Sequence, residues 1–159
     1  MPKTYEPIAT TTLGSATATV TFSSIPSTYT DLIIIALAQT QYNGNYLGIQ
    51  FNGDTGNNYS RTRLSGNGTS ASSERDSSQP RINLYAQPTS NFAVNIIHIM
   101  NYANTTTYKT VLARTDQASL STNAYAGLWR STAAINSITL REDNLQSGST
   151  FTLYGIKSA

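Results

Sequence analysis

Two-residue alternation of apolar and polar side chains recurs along this chain, and it restricts the fold more than any other feature. In SATATVTF, Ala16, Ala18, Val20 and Phe22 face one way while Thr17, Thr19 and Thr21 face the other. Successive side chains of a strand point to opposite faces, so this is a half-buried strand with a polar outer side. YLGIQF repeats the pattern with Leu47, Ile49 and Phe51. DLIIIALAQ is apolar at both phases and reads as a central strand buried on both sides. Its three consecutive isoleucines favour strand over helix, because β-branched side chains are stiff in helices.

NYSRTRL, RINLYAQ, FAVNIIHIMNY, YKTVLART, AYAGLWR, SITLRE and TFTLYGIK continue the series. Roughly nine or ten strands with short turns and no long amphipathic helix predict an all-β chain. Its expected architecture is an antiparallel two-sheet β-sandwich, with a jelly roll as first topology and another sandwich arrangement as second. A length of 159 residues fits one domain, 1–159. Residues 1–12 are expected as an N-terminal arm, and the nearly apolar-free stretch 66–80 as an exposed loop. FNGDTGNNYS (51–60), between two strand-like runs, reads as the turn of a hairpin with a longer loop.

Only 11% of residues are charged, against about 25% in an ordinary soluble domain. Ser, Thr and Asn fill the place of the missing charges, which suits exposed sheet faces. The net charge is +2, and Arg61, Arg63, Arg75, Arg81, Arg114, Arg130 and Arg141 are scattered, so no nucleic-acid partner is expected. There is no cysteine, which removes disulfides, thiolate metal sites and Cys nucleophiles. MPKTYEPIATTT lacks an apolar signal region, and LIIIALA is far shorter than the roughly 20 residues that span a bilayer. A soluble protein made in a cytoplasm, with no membrane partner, is the expectation. The sequons at Asn58, Asn67 and Asn104 then read as chance in an Asn/Thr-rich chain.

The chemistry-bearing residues are few. His98 is the single histidine, it lies in a strand-like run, and no G-x-S-x-G elbow accompanies it. Asn52, Asp54, Asn57 and Asn58 could offer oxygens to calcium, but the spacing of a calcium loop with its terminal Glu is missing. Asp and Asn also favour turns on their own account. Glu142 and Asp143 read as solvated residues at a strand end rather than a glycosidase pair. No phosphate-binding glycine motif is present. The expectation is a protein without enzymatic activity, cofactor or metal. Ten tyrosines and one tryptophan suit interfaces as well as packing, and Trp129 in GLWR fits core or rim.

Three segments carry a resemblance: TYEPIATTTLGSATATVTFSSIPSTYTDLIII at the start, FNGDTGNNYS in the middle, and ITLREDN with FTLYGIK at the end. Together they resemble small virion proteins of tailed bacteriophages over nearly the whole length. The resemblance makes Asn52, Gly53, Asp54, Gly56 and Asn58 mainly a family turn, and it brings no catalytic residue. It implies a structural protein of the virion, made in the cytoplasm of a bacterial host. The first reading is a capsid cement or decoration protein, a homotrimer bound to the major capsid protein on the outer surface of the head. Lys3, Thr4, Tyr5, Glu6 and Pro7 would then be an arm lying on the capsid. The alternative is a tail-fibre or tail-tip domain that recognises a host glycan. The expectation of cement over fibre leans on the short stretch before the first clear strand, which leaves no room for a shaft.

Overall fold

A computed structural model describes residues 4–41, 46–85, 91–117 and 120–157. Twelve strands follow in chain order: β1 (Tyr5–Thr12), β2 (Thr17–Phe22), β3 (Asp31–Ala38), β4 (Tyr46–Phe51), β5 (Tyr59–Gly66), β6 (Ala71–Gln79), β7 (Ile82–Tyr85), β8 (Ala93–Met100), β9 (Lys109–Gln117), β10 (Ser121–Trp129), β11 (Ile138–Leu145) and β12 (Thr150–Ile156). No helix occurs among the described residues. An eight-stranded sheet, ordered β1-β12-β3-β8-β9-β10-β5-β6, packs on a four-stranded sheet, ordered β2-β11-β4-β7. Every ladder is antiparallel. The chain is an antiparallel two-sheet β-sandwich, as the alternation predicts.

One core lies between the sheets. The large sheet contributes Leu32, Ile34, Ile97, Ile99, Phe151 and Leu153, and the small sheet Val20, Leu47, Ile49, Ile82, Ile138 and Leu140. Phe51, Tyr59 and Trp129 close one end of it, with the Tyr59 and Trp129 rings stacked at 6.2 Å and Phe51 5.4 Å from Trp129. Trp129 is therefore core. At β8, β9 and β10 the inner face also carries a polar row, where buried Asn95 and Asn123 both stand opposite buried Thr115.

The sheets differ in width, and one arginine bridges the mismatch. β7 is the free edge of the small sheet and lies nearest to β5, β9 and β10. Arg61 projects from β5 past that edge and is 4% exposed. Its Nη1 donates to the Asn83 carbonyl of β7, its Nε to Asp76 at 2.7 Å and its Nη2 to Glu74 at 3.0 Å, both on β6. The guanidinium also stands 5.1 Å from the Tyr46 ring centre and 5.8 Å from that of Tyr125. Tyr125 Oη in turn accepts the Tyr85 backbone N–H at 2.8 Å. Side chains of the wide sheet thus occupy backbone groups that an edge strand would otherwise leave open to pairing.

Four readings of the sequence are corrected. Residues 66–80 are not a loop: Ala71–Gln79 is β6, an edge strand that alternates charges instead of apolar groups, with Glu74 and Asp76 turned in and Arg75 out. Most of the expected arm is sheet, because Tyr5–Thr12 is β1, paired along β12. FNGDTGNNYS is not a hairpin turn, since β4 and β5 belong to different sheets. DLIIIALA is buried on one side only: Leu32, Ile34, Ala36 and Ala38 face the core, while Ile35 and Leu37 are exposed.

Replacing Arg61 with Met leaves Asp76 and the Asn83 carbonyl without their cation, while Glu74 keeps Arg63 at 2.8 Å. Breaking a buried pair costs about 3–5 kcal/mol, and the lower end is expected because Glu74 and Asp76 keep access to water. Urea unfolding should show a lower midpoint at unchanged slope. Arg61→Lys should recover only part of the loss, because an ammonium lacks the planar fork.

Candidate functional site

Asn52 and Gly53 have φ of +52° and +69°, and the Asp54 N–H donates to the Phe51 carbonyl at 2.9 Å. Two successive left-handed residues are the Asn-Gly pattern of a tight turn. Asn52 also holds the neighbouring segment: its Oδ1 accepts the N–H groups of Asn136 and Ser137, and its Nδ2 donates to the Ala134 carbonyl. Gly56 has another role. A Cβ there would lie 3.1 Å from Asp54 Oδ1 and 3.0 Å from Asn58 Nδ2, so its bareness makes room for their contact.

The Asp54 carboxylate ties this turn to the large sheet. Oδ1 accepts the Gly56 N–H at 2.8 Å, and Oδ2 accepts Trp129 Nε1–H at 2.7 Å and Asn58 Nδ2–H at 3.0 Å. Arg130 adds its backbone N–H to the Asn58 carbonyl and its Nη2 to that of Asn57. Tyr59 Oη takes the Phe51 N–H and donates to the Asp54 carbonyl, and burial pushes its pKa up to about 12. The chain is thereby carried from β4 of one sheet to β5 of the other. Burial raises the Asp54 pKa, but the hydrogen bonds from Trp129, Asn58 and Gly56 outweigh it and hold the carboxyl below its ordinary value of 3.8. Among the described residues no three His, Cys, Asp or Glu side chains are grouped to hold a metal ion.

The remaining sequence candidates are dispersed. Lys3 lies outside the described residues. Thr4 accepts the Lys157 backbone N–H, Tyr5 and Pro7 stand opposite Ile156 and Tyr154, and Glu6 pairs with Lys157 at 3.0 Å while accepting Tyr29 Oη–H. His98 Nε2 lies 2.9 Å from Asp31 on the neighbouring strand, and Asp31 also accepts the Asn101 N–H. Glu142 is buried with its carboxylate on the Asn144 N–H, whereas Asp143 is exposed, so Glu142 is not the solvated residue expected. The Oδ1 atoms of Asn67 and Asn104 accept the N–H groups of Thr69, Ser70, Thr106 and Thr107, which gives these asparagines a turn-forming role.

The broadest feature is a surface that sequence reasoning missed. On the outer side of the large sheet, Ile35, Ile96, Arg114, Ala124 and Leu64 stand in register across β3, β8, β9, β10 and β5. Ile33, His98, Leu112 and Ala126 form the next row, and Leu37, Val94, Asp116 and Thr122 the row on the other side. Exposure reaches 43% at Ile35, 46% at Leu112 and 62% at Leu64. A shallow depression lies at its middle, among Ile96, His98, Leu112 and Ala124. The flanks are polar: Thr10–Thr152 and Thr12–Thr150 hydroxyl pairs on β1 and β12, and Ser73 and Arg75 on β6. An apolar centre inside a polar rim is the anatomy of a protein contact surface. The signal was present in the second apolar phase of DLIIIALA, which reads equally as burial in the core and as burial under a partner.

No protein family matches the chain, and no curated protein does either.

Asp54→Ala is expected to cost about 2–3 kcal/mol, since it strands the buried Trp129 indole N–H and frees the turn. Urea unfolding followed by Trp129 fluorescence measures it. Because the folded pKa is depressed, the carboxylate's contribution is whole above 3.8 and is lost as pH falls through the lower folded value. Acid titration should therefore show a stability loss in that window that Asp54→Asn lacks. Calcium or EDTA should leave the melting temperature unchanged, as a ligand of the folded state would raise it.

Proposed function

We propose that this chain is a structural protein of a tailed-bacteriophage virion, and within it a capsid cement protein that binds the outer surface of the head. The observation that carries the reading is the broad apolar outer face of the large sheet with its polar rim. The largest exposed apolar patch on a monomer is roughly 300–600 Å² and is often functional. A face of this extent suits a chain that works between other proteins, and the resemblance of its opening, central and closing segments to virion proteins supplies the setting. The role is mechanical rather than catalytic: the protein holds capsid subunits together, adding its binding free energy to the cost of separating them.

A jelly-roll topology belongs to the same proposal. The run β1-β12-β3-β8 in one sheet facing β2-β11-β4-β7 in the other supports it, with β5–β6 and β9–β10 widening the first sheet. A homotrimer is the proposed assembly, since icosahedral heads offer three-fold positions and three linked contacts gain from effective concentration. Its partner is the major capsid protein, with neither nucleic acid nor membrane involved. A second reading, a tail-fibre or tail-tip domain for a host glycan, draws on the exposed rings of Tyr5 and Tyr108, 56% and 54% accessible, because exposed aromatics stack on sugars.

Labelled protein added to heads stripped of their decoration, followed by reconstruction of the particles, tests the proposal. Density at the three-fold positions of the capsid is the expected result. Density at the tail tip alone, or binding to host polysaccharide with none to heads, would sink the cement reading in favour of the fibre.

A further inference from the structure

The outer face of the large sheet contains a feature that selects its occupant. β9 is the middle strand of the five that carry the apolar surface. It places Arg114 and Asp116 two residues apart, hence on the same face. Among the described residues neither forms an ion pair, and Asp116 Oδ1 is shielded from solvent without a hydrogen-bond partner. One cation in the middle row of the apolar surface and one anion in the next row, neither in an ion pair among the described residues, complement a copy of themselves. They offer no net sign to attract an acidic or a basic partner.

We propose that copies of this chain meet through this face, the three subunits of the homotrimer turning Ile35, Ile96, Leu112 and Leu64 toward a common axis. This rests on the reading above of a self-associating virion protein and names the surface it uses. Around the axis, Arg114 of each copy stands against Asp116 of the next, so that three identical pairs close a ring. Cyclic symmetry makes every subunit donor to one neighbour and acceptor to the other. The five strands span about 24 Å at ~4.8 Å each, and six residues along them about 20 Å. The flat footprint is thus about 480 Å², and the relief of the side chains standing on it brings the accessible area closer to the roughly 800 Å² per partner of a specific interface. The Thr ladders of β1 and β12 on one flank and Arg75 of β6 on the other remain at the wet rim.

Sedimentation equilibrium on the whole chain tests this, with near-ultraviolet circular dichroism to check each variant's fold. The wild type should sediment as a trimer at tens of micromolar, within the range where a specific oligomer persists. Leu112→Asp should be a folded monomer. Arg114→Asp and Asp116→Arg should each weaken association at least tenfold, by setting like charges together. The double variant, with both changes, should recover most of the loss, because each copy then presents the exchanged pair to the next. A variant that unfolds leaves the decision to the two charge reversals, which lie on an exposed face.

A monomeric or dimeric wild type, a Leu112→Asp chain that remains trimeric, or a double variant no better than the singles would overturn the proposal. A Leu112→Asp trimer that no longer binds heads would assign the face to the capsid instead, leaving the cement reading intact. A trimer that depends on this face yet never binds heads would remove the cement reading alone.

Discussion

Unequal sheet width is the constraint on which the rest of this structure depends. Eight strands face four, so the wide sheet reaches past the edge of the narrow one. Apolar side chains there would meet water, and bare backbone at β7 would invite pairing. Arg61 resolves both difficulties with one side chain. Its guanidinium lies against the Tyr46 and Tyr125 rings and takes a carbonyl of β7 and two carboxylates of β6. Burying a guanidinium costs several kcal/mol before any partner is counted. Two carboxylates, a carbonyl and two aromatic faces offset that cost, and together they fix where β6 lies. Arg63 repeats the device one layer out, with Glu74 at 2.8 Å and the Tyr85 ring at 5.4 Å.

Much of the fold was legible because inward and outward residues differ in polarity wherever one sheet face meets the core. Ten strand-like runs in the sequence correspond to β2–β5 and β7–β12. The misses have a common cause. β6 lies at the outer edge of the overhang, so its inward residues meet Arg61 and Arg63 rather than a hydrophobic core, and its period of two is written in charge. β1 is the opposite edge, and its outer threonines pair with those of β12. An edge strand is held mainly by its ladder, which depends little on side-chain type. The 51–60 segment shows the limit of local reading. Its Asn-Gly turn is visible in the sequence, but what redirects the chain into the other sheet is Asp54 meeting Trp129, 75 residues further on.

The candidate surface was concealed by the same ambiguity of apolar runs. A strand apolar at both phases is buried on both sides in some setting, and sequence does not say whether the second cover comes from its own chain. In β3 and β8 the first cover is the small sheet, and the second face is open. The feature that looked most like a binding loop is, by contrast, internally satisfied: each Asp54 oxygen already accepts hydrogen bonds from its own chain.

The scarcity of charge then acquires a physical meaning. A surface that works by removing apolar area from water loses little of its strength when salt is added, whereas one assembled from exposed ion pairs is screened over about 8 Å at physiological ionic strength. Threonine pairs on the rim keep the flanks wet without adding a field of either sign. In the proposed assembly Arg114 and Asp116 set the register, since apolar contact alone permits many sliding arrangements of flat faces. On the proposal above, a broad sheet face that carries one cation and one anion on its central strand is matched by the same two residues in the complementary order on another copy of the chain.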